Sequence, residues 1–107
     1  MDDGIVIESA LFLWTPEPPA TASWHFIRVT GGAADQVRAA AMEARAAGLA
    51  RGFGSVRVAA TIGGMAFHTS LFPHRETGGY LLPVKAEVRR REGIVAGETV
   101  RVRLRIV

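Results

Sequence analysis

Two segments of the chain alternate apolar and polar residues to nearly the same pattern. Ser55-Val56-Arg57-Val58-Ala59-Ala60-Thr61-Ile62 returns as Thr99-Val100-Arg101-Val102-Arg103-Leu104-Arg105-Ile106, with the Val-Arg-Val core and the closing Ile unchanged. A period of two in apolar positions predicts half-buried β-strands. Three further runs carry strand signals: Ile5 to Trp14, Ser23 to Val29 and Tyr80 to Val84. The first stops at Thr15-Pro16-Glu17-Pro18-Pro19, a proline cluster that predicts a surface loop because proline cannot donate to a sheet ladder. Ala33 to Ala47 is predicted helical, with Asp35 in the first turn, Arg45 in the last and Gly48 beyond. Its apolar stripe, Val37, Ala40, Ala41 and Ala44, is thin, so such a helix lies close to its support. A short helix is predicted over 85–92, ending at Gly93.

The clearest local signal is a hairpin. Val56 to Ile62 and Met65 to Phe72 are joined by Gly63-Gly64, and a two-glycine loop suits a primed turn, where positive φ is needed. The turn fixes the register: Ile62 faces Met65, Ala60 faces Phe67, Val58 faces Thr69 and Val56 faces Leu71, forming one mostly apolar face. Arg57, Ala59 and Thr61 then oppose Ser70, His68 and Ala66 on the other. Pro73 to Gly79 reads as a loop, and Gly97-Glu98 as the turn into the last strand.

An aromatic strand, a helix, a glycine turn and a Val-Arg-Val strand occur in that order twice, over about 23–62 and 79–107. Too few strands fall in either half to cover its own apolar face. The expected fold is therefore mostly β with two helices: a small closed split barrel of six or seven mostly antiparallel strands, its halves interlocked about a pseudo-twofold axis. An internal repeat of this kind replaces a second subunit, so a monomer is expected.

Composition agrees with a single folded domain over 1–107. The chain is 49% hydrophobic with a mean hydropathy of +0.19, richer in aliphatics than a disordered chain. No run approaches the roughly 18 apolar residues of a membrane span, and Met1-Asp2-Asp3-Gly4 lacks the basic start of a secretory signal, so a soluble cytoplasmic protein with no membrane association is expected. With no cysteine, disulfides and thiolate metal sites are excluded. The formal charge of +3 and pI of about 10.6 give weak support to nucleic acid as a partner.

Candidate chemistry is sparse. Arg101, Arg103 and Arg105 project from one strand face at roughly 7 Å intervals, and Arg57 holds the equivalent place in the earlier copy. Together they predict a stripe able to contact phosphates; a solvated face, with Glu8 across the sheet and arginine stems shielding the barrel, fits the same pattern. Arg89-Arg90-Arg91 closes the short helix, where cations meet the helix dipole favourably. His68, Tyr80, Lys85 and Arg89 form a speculative set for a small anionic ligand. His25, His68 and His74 lack metal-ligand spacing, no phosphate-loop pattern follows Gly31-Gly32 or Gly78-Gly79, and no serine is spaced to form a triad with a histidine. No cofactor is implied. Trp14, Trp24, Phe26, Phe53, Phe67 and Tyr80 are expected to fill the core.

Two resemblances bear on the fold. Tyr80-Leu81-Leu82-Pro83-Val84-Lys85-Ala86-Glu87-Val88-Arg89, followed by Gly93 to Val100, resembles the swapped-hairpin DNA-binding domains of transition-state regulators and addiction-module antitoxins, which usually build their barrel from two chains. Gly54 through Val107 is similar to the domain-of-unknown-function family 1905 of small bacterial β-barrel proteins. That similarity runs through Ile62-Gly63-Gly64, Phe67, Thr69, Ser70, Leu71, Gly79 to Lys85, Val88-Arg89, Gly93-Ile94 and Gly97-Glu98-Thr99-Val100. Glu98 replaces the commoner aspartate of the turn but keeps an acceptor there. The resemblance implies a split barrel without an assigned activity or cofactor. The expected function is accordingly a non-enzymatic binding or accessory module for an unidentified small ligand or protein. A nucleic-acid-binding domain using the arginine face is the alternative, and a small-molecule enzyme or anionic-ligand binder a further one.

Overall fold

The computed structural model describes residues 4–15, 23–48 and 54–107. The expected loop over 16–19, the acidic start and Phe53 lie outside them. Six strands and two helices follow in the order β1 (Ile5–Trp14), β2 (Trp24–Val29), α1 (Gly31–Ala46), β3 (Val56–Ile62), β4 (Met65–His74), β5 (Gly79–Pro83), α2 (Ala86–Glu92) and β6 (Thr99–Ile106). The strands close into a barrel in the order β1-β2-β5-β4-β3-β6, every neighbouring pair antiparallel. The fold is mostly β with two helices, as the alternation predicts.

The β3–β4 hairpin has the register set by its turn, from Val56↔Leu71 to Ile62↔Met65. Gly63 takes a φ of 56°, the left-handed conformation that a primed turn places at its first central residue. β4 runs two residues beyond the expected end and takes in Pro73, paired with Tyr80 of β5. The β3 ladder ends at Val56↔Leu71, so the β3-facing side of β4 no longer carries ladder bonds at Pro73, and a residue without an N–H is tolerated there.

The duplicated strands, β3 and β6, are barrel neighbours with Ala60 opposite Leu104. The element order also reads ββαβ twice. Any antiparallel pair has a local twofold between its strands, so the pairing by itself does not decide whether the halves share an origin.

Aliphatic side chains fill the barrel. Leu11, Ile27, Leu71, Leu82, Leu104, Val29, Val37, Val58 and Val102 are fully buried, and no polar or charged residue is buried among the described residues. Each buried leucine or valine contributes roughly 1.5–3 kcal/mol relative to exposure. α1 packs Ala34 and Val37 into the core and contacts β1, β5 and β6. It starts at Gly31, two residues earlier than expected, so its first turn contains no acidic residue. Asp35 instead pairs with Arg38 at 3.0 Å. α2 buries Val88 and ends at Gly93 with φ 64°. At its end Glu92 Oε1 accepts from the Gly64 N–H at 3.3 Å, tying the helix to the β3–β4 turn.

The aromatic residues do not fill the core as expected. Tyr80 is buried and Phe67 packs partly buried against the core, but Trp14 and Trp24 are 48% and 52% exposed. Ile7 and Leu11 of β1 and Ile27 and Val29 of β2 point inward, and strand alternation turns Phe12, Trp14, Trp24 and Phe26 outward. An interior already filled by aliphatic side chains leaves no room for indole rings.

Candidate functional site

Because the interior is filled, the chemistry-bearing side chains stand on the outside of the wall. All the charged residues of the six strands are exposed: Arg28, Arg57, Arg101, Arg103, Arg105 and the single carboxylate, Glu8. Five arginines against one glutamate make the strand wall strongly cationic, while the other acidic residues among those described lie on helices and in loops.

Register places the arginines in neighbouring rows. Arg103 stands between Val6 of β1 and Thr61 of β3, and Arg105 lies opposite Ala59, which in turn faces His68 of β4. Arg57 faces Ser70, and Arg101 faces Glu8. Small side chains, Ala59 and Thr61 of β3, thus form the floor between the β6 arginines and β4, where Ala66 and Ser70 flank His68. Arg57 is held at the barrel end, where its carbonyl accepts from the Val107 N–H at 3.2 Å. The expected stripe of Arg57, Arg101, Arg103 and Arg105 is a single outward-facing surface, and Glu8 stands across from it as anticipated.

The expected ligand set is split between the two sides of the barrel wall. His68 is exposed on the outer face of β4, whereas Tyr80 is buried on the inner side of β5, with the Arg38 guanidinium 6.0 Å from its ring centroid. Lys85 is exposed at the N-cap of α2. Arg89 is half-buried, and its Nε donates to the Val84 carbonyl at 3.2 Å. Arg89 acts on His25: partial burial, and then the Arg89 charge, lower the His25 pKa below its ordinary value. No cluster of three or more His, Asp or Glu arranged to hold a metal ion occurs among the described residues.

A second surface escaped the sequence reading. Outward side chains of β1, β2, β5 and β4 form three rows: Trp14 opposite Trp24; Phe12, Phe26 and Pro83; and Arg28, Leu81 and Phe72. Phe26 lies among three rings, with centroids 6.0 Å from Phe12, 6.4 Å from Trp14 and 6.4 Å from Trp24, the last nearly parallel at 10°. The Arg28 guanidinium sits 3.9 Å over the Phe12 ring. Phe72 is 47% exposed and extends the apolar face onto β4. The signal was in the parity of two charged residues. Glu8 shares a strand face with Phe12 and Trp14, and Arg28 shares one with Trp24 and Phe26, which marks those faces as outer.

The turn before β6 keeps the acceptor of the expected family pattern. Glu98 Oε1 accepts from the Val95 N–H at 2.9 Å, so glutamate serves as the turn acceptor. The Glu98 carbonyl and Gly97 N–H also bond to the N–H and carbonyl of Leu11, at 2.9 and 2.7 Å, extending the β1–β6 ladder into the turn. The family "Domain of unknown function (DUF1905)" matches residues 9–104. The chain belongs to the DUF1905 family. The match runs from within β1 to within β6 and takes in the aromatic face together with Arg57, Arg101 and Arg103. No curated protein matches the chain. No helix among the described residues is long and apolar enough to cross a membrane.

Proposed function

We propose that this DUF1905 chain is a non-enzymatic binding module that takes an anionic partner on the outside of its barrel. The observation that carries the reading is the arginine surface of β6 and β3: Arg57, Arg101, Arg103 and Arg105 face outward over small residues, with Glu8 the single carboxylate on the strands. A barrel interior lined by aliphatic side chains further supports a role for the wall rather than for an internal pocket. Nucleic acid is the favoured partner class, because repeated phosphates match cations spaced along a strand. A small-molecule enzyme built on His68, Tyr80, Lys85 and Arg89 has less support, since His68 and Tyr80 face opposite sides of the wall. The chain is taken to work as a monomer in the cytoplasm.

Titration of a short DNA duplex between about 50 and 200 mM salt tests the reading. Four phosphate contacts give a slope of log K against log salt of roughly −3.6. The Arg101→Gln/Arg105→Gln double variant should lower the steepness by about 2 with little change in thermal midpoint. Absence of binding to both this duplex and a single strand at low salt, or a slope unchanged in the double variant, sinks the proposal. Light scattering checks the monomer.

A further inference from the structure

The anionic-partner reading leaves the aromatic face without a role. This face is large for a soluble domain: Trp14, Trp24 and Phe72 are each about half exposed, and Phe12, Phe26, Leu81 and Pro83 fill the surface between them. Scattered single apolar residues need no explanation, but contiguous patches mark interaction sites. Its partner must accept planar rings, tolerate Arg28 lying on Phe12, and suit a cationic wall.

β1 joins the two surfaces. Reading its outward residues from the aromatic end gives Trp14, Phe12, Ala10, Glu8 and Val6, with Arg101 beside Glu8 and Arg103 beside Val6. From Phe12 to Glu8 is about 13 Å at strand rise. A ligand lying along β1 therefore meets stacked rings at one end and arginines at the other. Sequence-tolerant binding of single strands uses this combination, with bases on aromatic side chains and a cationic track for the phosphates.

We infer that the Phe12, Trp14, Trp24 and Phe26 face is a stacking platform for unpaired nucleobases, and that with the adjoining arginines it binds single-stranded nucleic acid. The inference rests on the anionic-partner reading and specifies its ligand. Duplexes keep their base faces stacked on one another, so these rings can engage only bases that are unpaired or splayed out. Arg28, stacked on Phe12, presents a charge at the edge of the platform, where the first phosphate of a bound strand passes. Trp24, half exposed and with its ring nearly parallel to that of Phe26, offers the most open stacking surface of the platform.

Trp14 and Trp24 are the two tryptophans of the chain, so intrinsic tryptophan emission reports on the platform without a label. The experiment compares oligothymidylate with an abasic strand of equal length and charge. Oligothymidylate should quench the emission saturably, while the abasic strand binds at least about fivefold more weakly with little quenching. Trp24→Ala should weaken oligothymidylate binding roughly five- to one-hundredfold at an unchanged thermal midpoint, and Trp24→Phe should restore most of it. Equal affinity for both strands, lost in Arg101→Gln/Arg105→Gln, overturns the stacking inference and leaves the arginine reading intact. Binding of neither strand, nor of duplex, overturns both. A dimer in light scattering that dissociates on Trp24→Ala, without oligonucleotide binding, assigns the face to a second copy and likewise overturns the inference. The comparison of the two strands uses the unmodified protein, so it holds even if a variant misfolds.

Discussion

Gly79 opens β5 where the strand passes closest to the end of β2, and replacing it by alanine tests the packing of the barrel at that point. A Cβ placed there would lie 3.1 Å from the Val29 carbonyl carbon and 3.3 Å from Thr30 Cα, and closer still to the Val29 carbonyl oxygen. All three are backbone atoms, so no side-chain rotation relieves the clash. Either β5 moves away, loosening the Val29↔Tyr80 pair, or Thr30 moves and disturbs the start of α1. Overpacking of this kind costs about 2–3 kcal/mol. For a chain of 107 residues, an unfolding entropy of about 0.22 kcal/mol/K converts that cost to a fall in thermal midpoint of roughly 9–14 °C. Calorimetry of Gly79→Ala beside Gly32→Ala separates the steric cause from a general loss of glycine freedom. Gly32 lies in α1 with nothing within 4 Å of its added Cβ. Alanine there should raise the midpoint by roughly 2–4 °C, through a less flexible unfolded chain. A Gly79→Ala midpoint within about 2 °C of the parent would refute the close approach.

Leu104→Ala, in the middle of β6 and fully buried, should cost about 2–5 kcal/mol in urea denaturation, whereas Arg105→Ala beside it should change stability by less than about 0.5 kcal/mol. Equal effects would contradict the assignment of inner and outer faces. The lowered His25 pKa means that the unfolded chain binds a proton before the folded one. This residue's contribution is therefore at full value above the ordinary histidine range and is lost as pH falls through it, and His25→Gln should flatten that part of the stability profile. Arg89→Met should raise the His25 pKa toward normal, read from imidazole chemical shifts; an unchanged titration would remove Arg89 as a cause. A double-mutant cycle on Arg28→Gln and Phe12→Leu should give a coupling of about 0.5–1 kcal/mol, and a value indistinguishable from zero would dismiss the stacked cation.

Elements whose signal is local were legible in the chain alone. Alternation in β3, β4 and β6 depends on the two-residue period of an extended backbone, and Gly63-Gly64 set the hairpin register because few other residues adopt the left-handed turn conformation cheaply. Gly48 and Gly93 marked the helix ends for the same reason: each has positive φ, at 75° and 64°. The arginine face followed from strand parity alone. The parity of Glu8 and Arg28 marked one face of β1 and β2 as outer while the bulk of its aromatic side chains pointed to the core, and tertiary structure decided between the two signals. Beyond Ala10, β1 presents Leu11 on one side and Phe12 and Trp14 on the other, and hydrophobicity favours burying either. Volume made the choice, because a six-stranded barrel filled by leucine, isoleucine and valine from every strand has no space for two indoles. Convergence was equally invisible in one dimension: His68 and Arg89 looked like partners by chemistry, and the barrel closure brought His25 under the influence of Arg89. What a residue can do was legible from its type, and which neighbour it does it with came from the pairing of strands distant in the chain.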